Sequence, residues 1–176
     1  MENKLDFLAF GAHPDDVELG CSGALLKVID NGKKVGVVDL TRGELGTRGS
    51  SELRSKETEA ASKVLGIDIR ENLEFKDGFF KNDIEHQMIV ISLIRKYKPD
   101  FIFCNAPDDR HTDHPKASKL IVESSFLSGL AKIKTVDDSG NDQPHWRPKN
   151  IFHYIQWKNL KPDFILDISG HMQSKM

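Results

Sequence analysis

The segment Gly11-Ala12-His13-Pro14-Asp15-Asp16 places one imidazole and two adjacent carboxylates in a turn directly behind the apolar run Leu5 to Phe10. A second cluster, His111-Thr112-Asp113-His114-Pro115, follows the apolar run Phe101 to Cys104. Zinc bound for catalysis takes three protein ligands from His, Asp and Glu and keeps one position for water. His13 and Asp16 are three residues apart in a turn that leads into a helix, so their side chains can share one face. Pro14 stiffens that turn, because its φ is fixed and it donates no hydrogen bond. Asp15, between the two, points elsewhere and suits a base. His111 and His114 repeat the spacing of three, so one can bind metal while the other faces a substrate. The ligand set expected here is His13, Asp16 and His114, with water in the fourth position.

The chemistry such a set supports is metal-assisted hydrolysis. Bound zinc lowers the pKa of its water from about 15.7 to about 7. Asp15 would accept the proton as general base and pass it to the leaving amine. His111, if protonated and steadied by Asp113, would stabilise the developing oxyanion, a role worth about 3–4 kcal/mol. Each residue also has an ordinary explanation. A single histidine is most often a surface or core residue, and Asp15-Asp16 could simply cap a helix start, where carboxylates are stabilising. The joint occurrence of two clusters behind two strands is what favours a site.

Those strands must be neighbours in a sheet for the clusters to meet. Apolar runs alternate with amphipathic stretches along the chain. Leu5 to Phe10, Val35 to Leu40, Leu73 to Phe75, Phe101 to Cys104, Ile151 to Ile155 and Phe164 to Ile168 read as strands. Val17 to Ile29, Ser51 to Leu65, Ile84 to Tyr97 and Pro115 to Leu130 read as helices, stopped by Asn31-Gly32, by Gly66 and by Pro99 where such residues follow. Alternation of this kind predicts an α/β fold, a Rossmann-like, doubly wound, mostly parallel sheet with helices on both faces. Ligands of such sheets sit beyond the carboxyl ends of the strands, which is where both clusters fall. Val136 to Arg147, rich in Asp, Gly, Asn and Pro, reads as a mobile surface loop.

The whole chain narrows the function classes. Its 176 residues suit one domain with one core. An apolar fraction of 38%, a charged fraction of 30% and a formal charge of −2 speak for a soluble chain without a field for nucleic acid or an anionic membrane. No signal peptide and no membrane span is expected. The two cysteines, Cys21 and Cys104, form no paired motif. A cytoplasmic protein with reduced thiols follows as the expectation. The turn after the first strand lacks the G-x-G-x-x-G of dinucleotide-binding domains, and its carboxylates would repel a pyrophosphate. No G-x-S-x-G elbow is present. Phosphate ester hydrolysis stays open on chemistry alone.

The start Ala12-His13-Pro14-Asp15-Asp16 and the later His111-Thr112-Asp113-His114 resemble the LmbE-like, or PIG-L, family of zinc deacetylases. The loop Thr41-Arg42-Gly43-Glu44-Leu45-Gly46-Thr47-Arg48-Gly49, with Glu52-Leu53-Arg54 behind it, is similar to the family's bacillithiol-biosynthesis branch of N-acetylglucosaminyl-malate deacetylases. The resemblance implies one Zn2+ per chain on His13, Asp16 and His114, Asp15 as base and His111 as electrophilic partner. It implies that Arg54 contacts substrate hydroxyls, that Arg110 stands just behind the site, and that Arg147 in its His-Trp-Arg-Pro context helps hold the substrate. An arginine fork suits a malate carboxylate. The resemblance also implies a small amino-sugar substrate and a homo-oligomer, trimer or hexamer. Residues 1–176 would be a single deacetylase domain lacking the family's C-terminal segment, which normally lines one side of the site. Two alternatives accompany this reading: a metal-binding module without turnover, and a deacetylase of another N-acetyl sugar such as a chitooligosaccharide.

Overall fold

The computed structural model describes residues 4–47 and 51–176, with backbone alone at residues 51 and 52. Arg48 and Gly49 of the glycine-rich loop, and the side chain of Glu52, lie outside the described residues. Among the described residues five strands form one sheet in the order β3-β2-β1-β4-β5, every neighbouring pair parallel. They are β1 (Phe7–Gly11), β2 (Val35–Thr41), β3 (Ile69–Phe75), β4 (Phe101–Asn105) and β5 (Asn150–Tyr154). The helices are α1 (Asp16–Gly20), α2 (Ser22–Asp30), α3 (Ser51–Leu65), α4 (Ile84–Tyr97), α5 (Asp113–Ser128) and a short C-terminal α6 (Met172–Lys175).

Successive side chains of a strand point to opposite faces, and the core divides accordingly. Leu8 and Phe10 of β1 and Val38 and Leu40 of β2 pack with Val90, Leu93 and Ile94 of α4 and Ala117, Leu120 and Ile121 of α5. Ala9, Val35 and Val37 face the other way, onto Val17, Cys21 and Leu25 of α1 and α2. Helices therefore cover both faces. Both cysteines are buried and unpaired, and burial pushes their thiols well above the ordinary range. Among the described residues no helix is long and apolar enough to cross a membrane.

Three elements differ from the pattern-based expectation. The helix expected over 17–29 is two helices, because Cys21 leaves helical geometry at φ −140° and the Ser22 hydroxyl takes the Glu18 carbonyl. Strand β3 begins four residues earlier than its apolar run. Its polar Arg70 is half-buried and makes a bidentate pair with Asp39 of β2, at 2.9 and 3.0 Å. Residues 164–168 form no strand. They are largely exposed, and Phe164 leans on Phe152 with ring centroids 5.6 Å apart. A short apolar run carries no information about whether a ladder partner exists.

The C-terminal end of α1 is held against β5 through Gly20. A Cβ there would lie 2.3 Å from the ring of Tyr154, whose hydroxyl donates to the Phe10 carbonyl at 2.8 Å. The ring cannot yield without losing that bond. Gly20→Ala is expected to destabilise the protein by about 1–3 kcal/mol, the usual cost of overpacking. A thermal melt reads it, and an unchanged midpoint would show that α1 can shift freely.

Candidate metal centre and active site

Strands β1 and β4 are adjacent, while the chain leaves β1 towards β2 on the other side. This reversal opens a crevice beyond their carboxyl ends. The turn 12–16 leaves β1 and the segment 106–114 leaves β4, so both His/Asp clusters enter the crevice. Asn105, fully buried at the end of β4, ties the two together. Its amide oxygen accepts the Ala12 N–H and its amide nitrogen donates to Asp16 Oδ2, each at 3.0 Å.

Asp16 is the centre of the arrangement. His13 Nδ1 stands 3.6 Å from Asp16 Oδ2, and His114 Nε2 stands 3.2 Å from Asp16 Oδ1. The His13 backbone N–H and the Gln156 side chain also donate to this carboxylate, at 3.0 and 2.8 Å. Burial raises the pKa of Asp16, but the hydrogen bonds from His114, His13 and Gln156 outweigh it and hold the group well below the usual carboxylate range. Burial also opposes charge on His13, yet the bond to Asp16 and the charges of Asp77 and Asp113 lift it to about 9. His114 is raised in the same way by Asp16 and Asp109 against its own desolvation.

The outward nitrogens of the two imidazoles meet Asp77 and Asp109, which the pattern of clusters did not single out, and Asp113, which it had assigned to His111. His13 Nε2 lies 3.0 Å from Asp77 Oδ1 and 3.4 Å from Asp113 Oδ2. His114 Nδ1 lies 3.5 Å from Asp109 Oδ2 and has no well-aligned hydrogen bond of its own. Asp77 follows β3 and accepts the Leu45 N–H at 3.0 Å, which binds the glycine-rich loop to the site.

These residues fit a divalent cation. The separations of 3.2 and 3.6 Å bracket the edge of about 3.4 Å of a tetrahedron with bonds of about 2.1 Å. A carboxylate on the far nitrogen of each imidazole is the outer partner that metal-bound histidines generally have. The surplus of carboxylates, which drives protons onto His13 and His114, would equally favour a cation in their place. The donor sets whose atoms all converge within 4.8 Å among the described residues are His13, His111 and His114, and His13, Asp77 and Asp113; the expected set of His13, Asp16 and His114 is joined instead through the two Asp16 oxygens. In the set with Asp77, Asp113 already holds Lys116 at 2.7 Å and the Gly78 N–H at 2.8 Å.

Asp15 lies beside this group with its side chain 56% exposed. Its backbone has φ 115°, a left-handed value that costs a non-glycine residue about 1–3 kcal/mol and commonly marks a working site. It precedes α1 but makes no side-chain capping bond. Burial, followed by the charge of Asp16, raises its pKa, with Arg54 and His13 acting against the shift. His111 stands just before α5, its ring 4.6 Å from that of His13 and 5.1 Å from that of His114. Burial and the neighbouring His13 and His114 depress its pKa. Its Nδ1 accepts the Asp113 backbone N–H at 3.3 Å, which leaves the proton of the neutral ring on Nε2. The carboxylate of Asp113, expected to steady His111, is turned to His13, Gly78 and Lys116 instead.

A cavity of about 640 Å³ opens over these residues, walled by Arg54, Arg110, Leu19, Leu45, Gln156 and Trp157. Arg54 reaches the Pro14 carbonyl at 3.3 Å and stands 3.8 Å from Asp15. Gly43 and Gly46 pass so close to its guanidinium that a Cβ on either would come within 2.9 Å. Arg110 lies over the Trp157 ring, 4.4 Å from its centroid. Arg147 is not brought to this cavity. Its guanidinium covers Phe126 and donates to the Phe126 carbonyl at 3.0 Å, near the C-terminal end of α5. His114 is at the other end of that helix.

Asp77→Asn is expected to weaken divalent-metal affinity by about 10–100-fold, as loss of an outer carboxylate does elsewhere. Competition with a fluorescent chelator measures it. Unchanged affinity would show that Asp77 does not orient His13 towards a metal.

Comparison with known proteins extends this geometry. Diacetylchitobiose deacetylase of Thermococcus kodakarensis is 28% identical over 179 residues, covering 96% of this chain and 66% of that protein. The chain thus spans about two thirds of the length of this curated relative. The conserved protein TT1542 from Thermus thermophilus superposes with a TM-score of 0.89 at 36% identity, covering 97% of this chain and 75% of that one. N,N'-diacetylchitobiose deacetylase from Pyrococcus horikoshii gives a TM-score of 0.84 at 27% identity, covering 99% and 68%. The PIG-L profile, described as GlcNAc-PI de-N-acetylase, matches residues 8–125, from within β1 to within α5. With the profile spanning both clusters and the strands that present them, the chain belongs to the PIG-L family of de-N-acetylases.

Proposed function

We propose that the protein is a zinc-dependent deacetylase that hydrolyses the N-acetyl amide of an N-acetylglucosamine conjugate. The observation that carries this reading is Asp16 shared between His13 and His114, with a strained, accessible Asp15 beside it. A zinc ion on His13, Asp16 and His114 would supply Lewis acidity, acidifying a water and polarising the amide carbonyl. Asp15 takes the proton of the attacking water, a task its raised pKa suits. His111 donates from Nε2 to the developing oxyanion. The C–N bond then breaks, Asp15 returns its proton to the leaving nitrogen, and acetate and a free amino sugar result.

Arg54 and Arg110 place two guanidinium groups on the cavity wall. Among the described residues neither has a carboxylate partner nearer than the 3.8 Å between Arg54 and Asp15. Such forks suit an anionic aglycone, which makes N-acetylglucosaminyl-malate of bacillithiol biosynthesis the first substrate to try. Diacetylchitobiose is the second, favoured by the activity for which the Thermococcus and Pyrococcus relatives are named.

The test is acetate release from both compounds and from N-acetylglucosamine, before and after chelation. Release that stops on chelation and returns with zinc is expected. No release from any of the three, or release indifferent to chelation, would overturn the reading, and the former outcome would leave a metal-binding module without turnover.

A further inference from the structure

The cavity mouth carries apolar surface that the deacetylation chemistry does not use. Leu19 of α1, Leu45 of the loop after β2 and Trp157 behind β5 are 67%, 60% and 69% exposed, and all three line the cavity that holds Asp15 and His111. Among the described residues no core packing accounts for them. Trp157 is the largest, and it is held in place from the site itself. Its backbone N–H points to Asp109 Oδ2 at 3.4 Å, the same oxygen that faces His114 at 3.5 Å. Its neighbour Gln156 turns inward and donates to Asp16 at 2.8 Å. The segment is fastened to the floor by residue 156 and presents an indole at the rim with residue 157. Arg110 covers one face of that indole, and the exposure of the residue leaves the rest open.

We propose that Trp157 is the platform for the group attached to the amino sugar, and that this group is a second pyranose ring. A pyranose has an apolar C–H face and a rim of hydroxyls. The C–H face suits the open face of an indole, and the hydroxyls suit fixed donors such as Arg54 and Arg110. The acetamido group goes down to the polar floor while the second ring rests on the apolar rim. An open-chain dicarboxylate has no flat face to offer Trp157 and would depend on the arginines alone. The inference rests on the deacetylase reading and chooses between the aglycones within it.

The experiment compares N,N'-diacetylchitobiose with N-acetylglucosamine on the zinc-loaded wild type, Trp157→Ala and Trp157→Phe. Binding is read by calorimetry, and KM and kcat by acetate release. The wild type is expected to prefer the disaccharide, and Trp157→Ala to shrink that preference about tenfold, the scale of one aromatic contact. The loss should fall in Kd and KM rather than kcat, and Trp157→Phe should restore most of it. A preference that survives Trp157→Ala, or no preference in the wild type, would overturn the platform. If neither sugar releases acetate, the deacetylase reading stands or falls on the malate conjugate, and the calorimetric preference still decides whether Trp157 receives a second ring.

Discussion

Asp15→Asn is expected to lower the rate of acetate release by about 10²–10⁴-fold, the usual contribution of a positioned general base, while metal content and thermal midpoint stay as in the wild type. The substitution is a clean one. Asparagine visits the left-handed region more readily than most residues, so the backbone at φ 115° is retained. The carboxylate makes no capping bond to α1 that could be lost, and its pair with Arg54 is long, at 3.8 Å. What disappears is a proton acceptor next to the proposed metal. Acetate assays and metal analysis on the same preparation check the result. A variant within a few-fold of wild-type rate would assign the proton to another group.

His114→Ala should abolish stoichiometric metal binding and with it all metal-dependent turnover. His114 supplies one of the two imidazoles on Asp16 and is nearly buried, with 8% of its side chain exposed. Its loss leaves Asp16 with His13 alone and strands Asp109. The fall in affinity should exceed the roughly 10–100-fold of an outer partner. His111→Ala is the informative contrast. If His111 acts only on the oxyanion, its removal costs about 10²–10³-fold in rate and leaves the metal in place. Equal loss of metal from both variants would point to the all-histidine donor set, whose atoms lie within 4.8 Å of one another.

Much of this was legible in the residues. The apolar runs before each cluster identified β1 and β4, and the rule that ligands gather beyond parallel strands placed both clusters in one crevice. The outer carboxylates were harder to see. Asp77 and Asp109 are single residues without a repeating pattern. Yet each stands just past a strand end, two residues after Phe75 and four after Asn105, and the same rule could have found them. Asp113 was read as the partner of His111 because the two are close in sequence. Side chains two apart at a helix start do not face each other, and the carboxylate turns to His13 instead. Arg147 shows the limit of local context. Its neighbours say nothing about which end of the sheet it occupies, and the 16 residues of α5, at 1.5 Å each about 24 Å, separate it from the site. Likewise, no periodicity could show that Cys21 interrupts a helix, where its φ of −140° and the bond from the Ser22 hydroxyl to the Glu18 carbonyl mark the break.

Anomalous diffraction at the zinc edge, from crystals of the zinc-loaded protein, tests the central claim most directly. The account predicts one ion bonded to His13 Nδ1, Asp16 and His114 Nε2, with Asp15 beside it and unbonded. An ion held by His13, Asp77 and Asp113, or by the three histidines with Asp16 free, would contradict it.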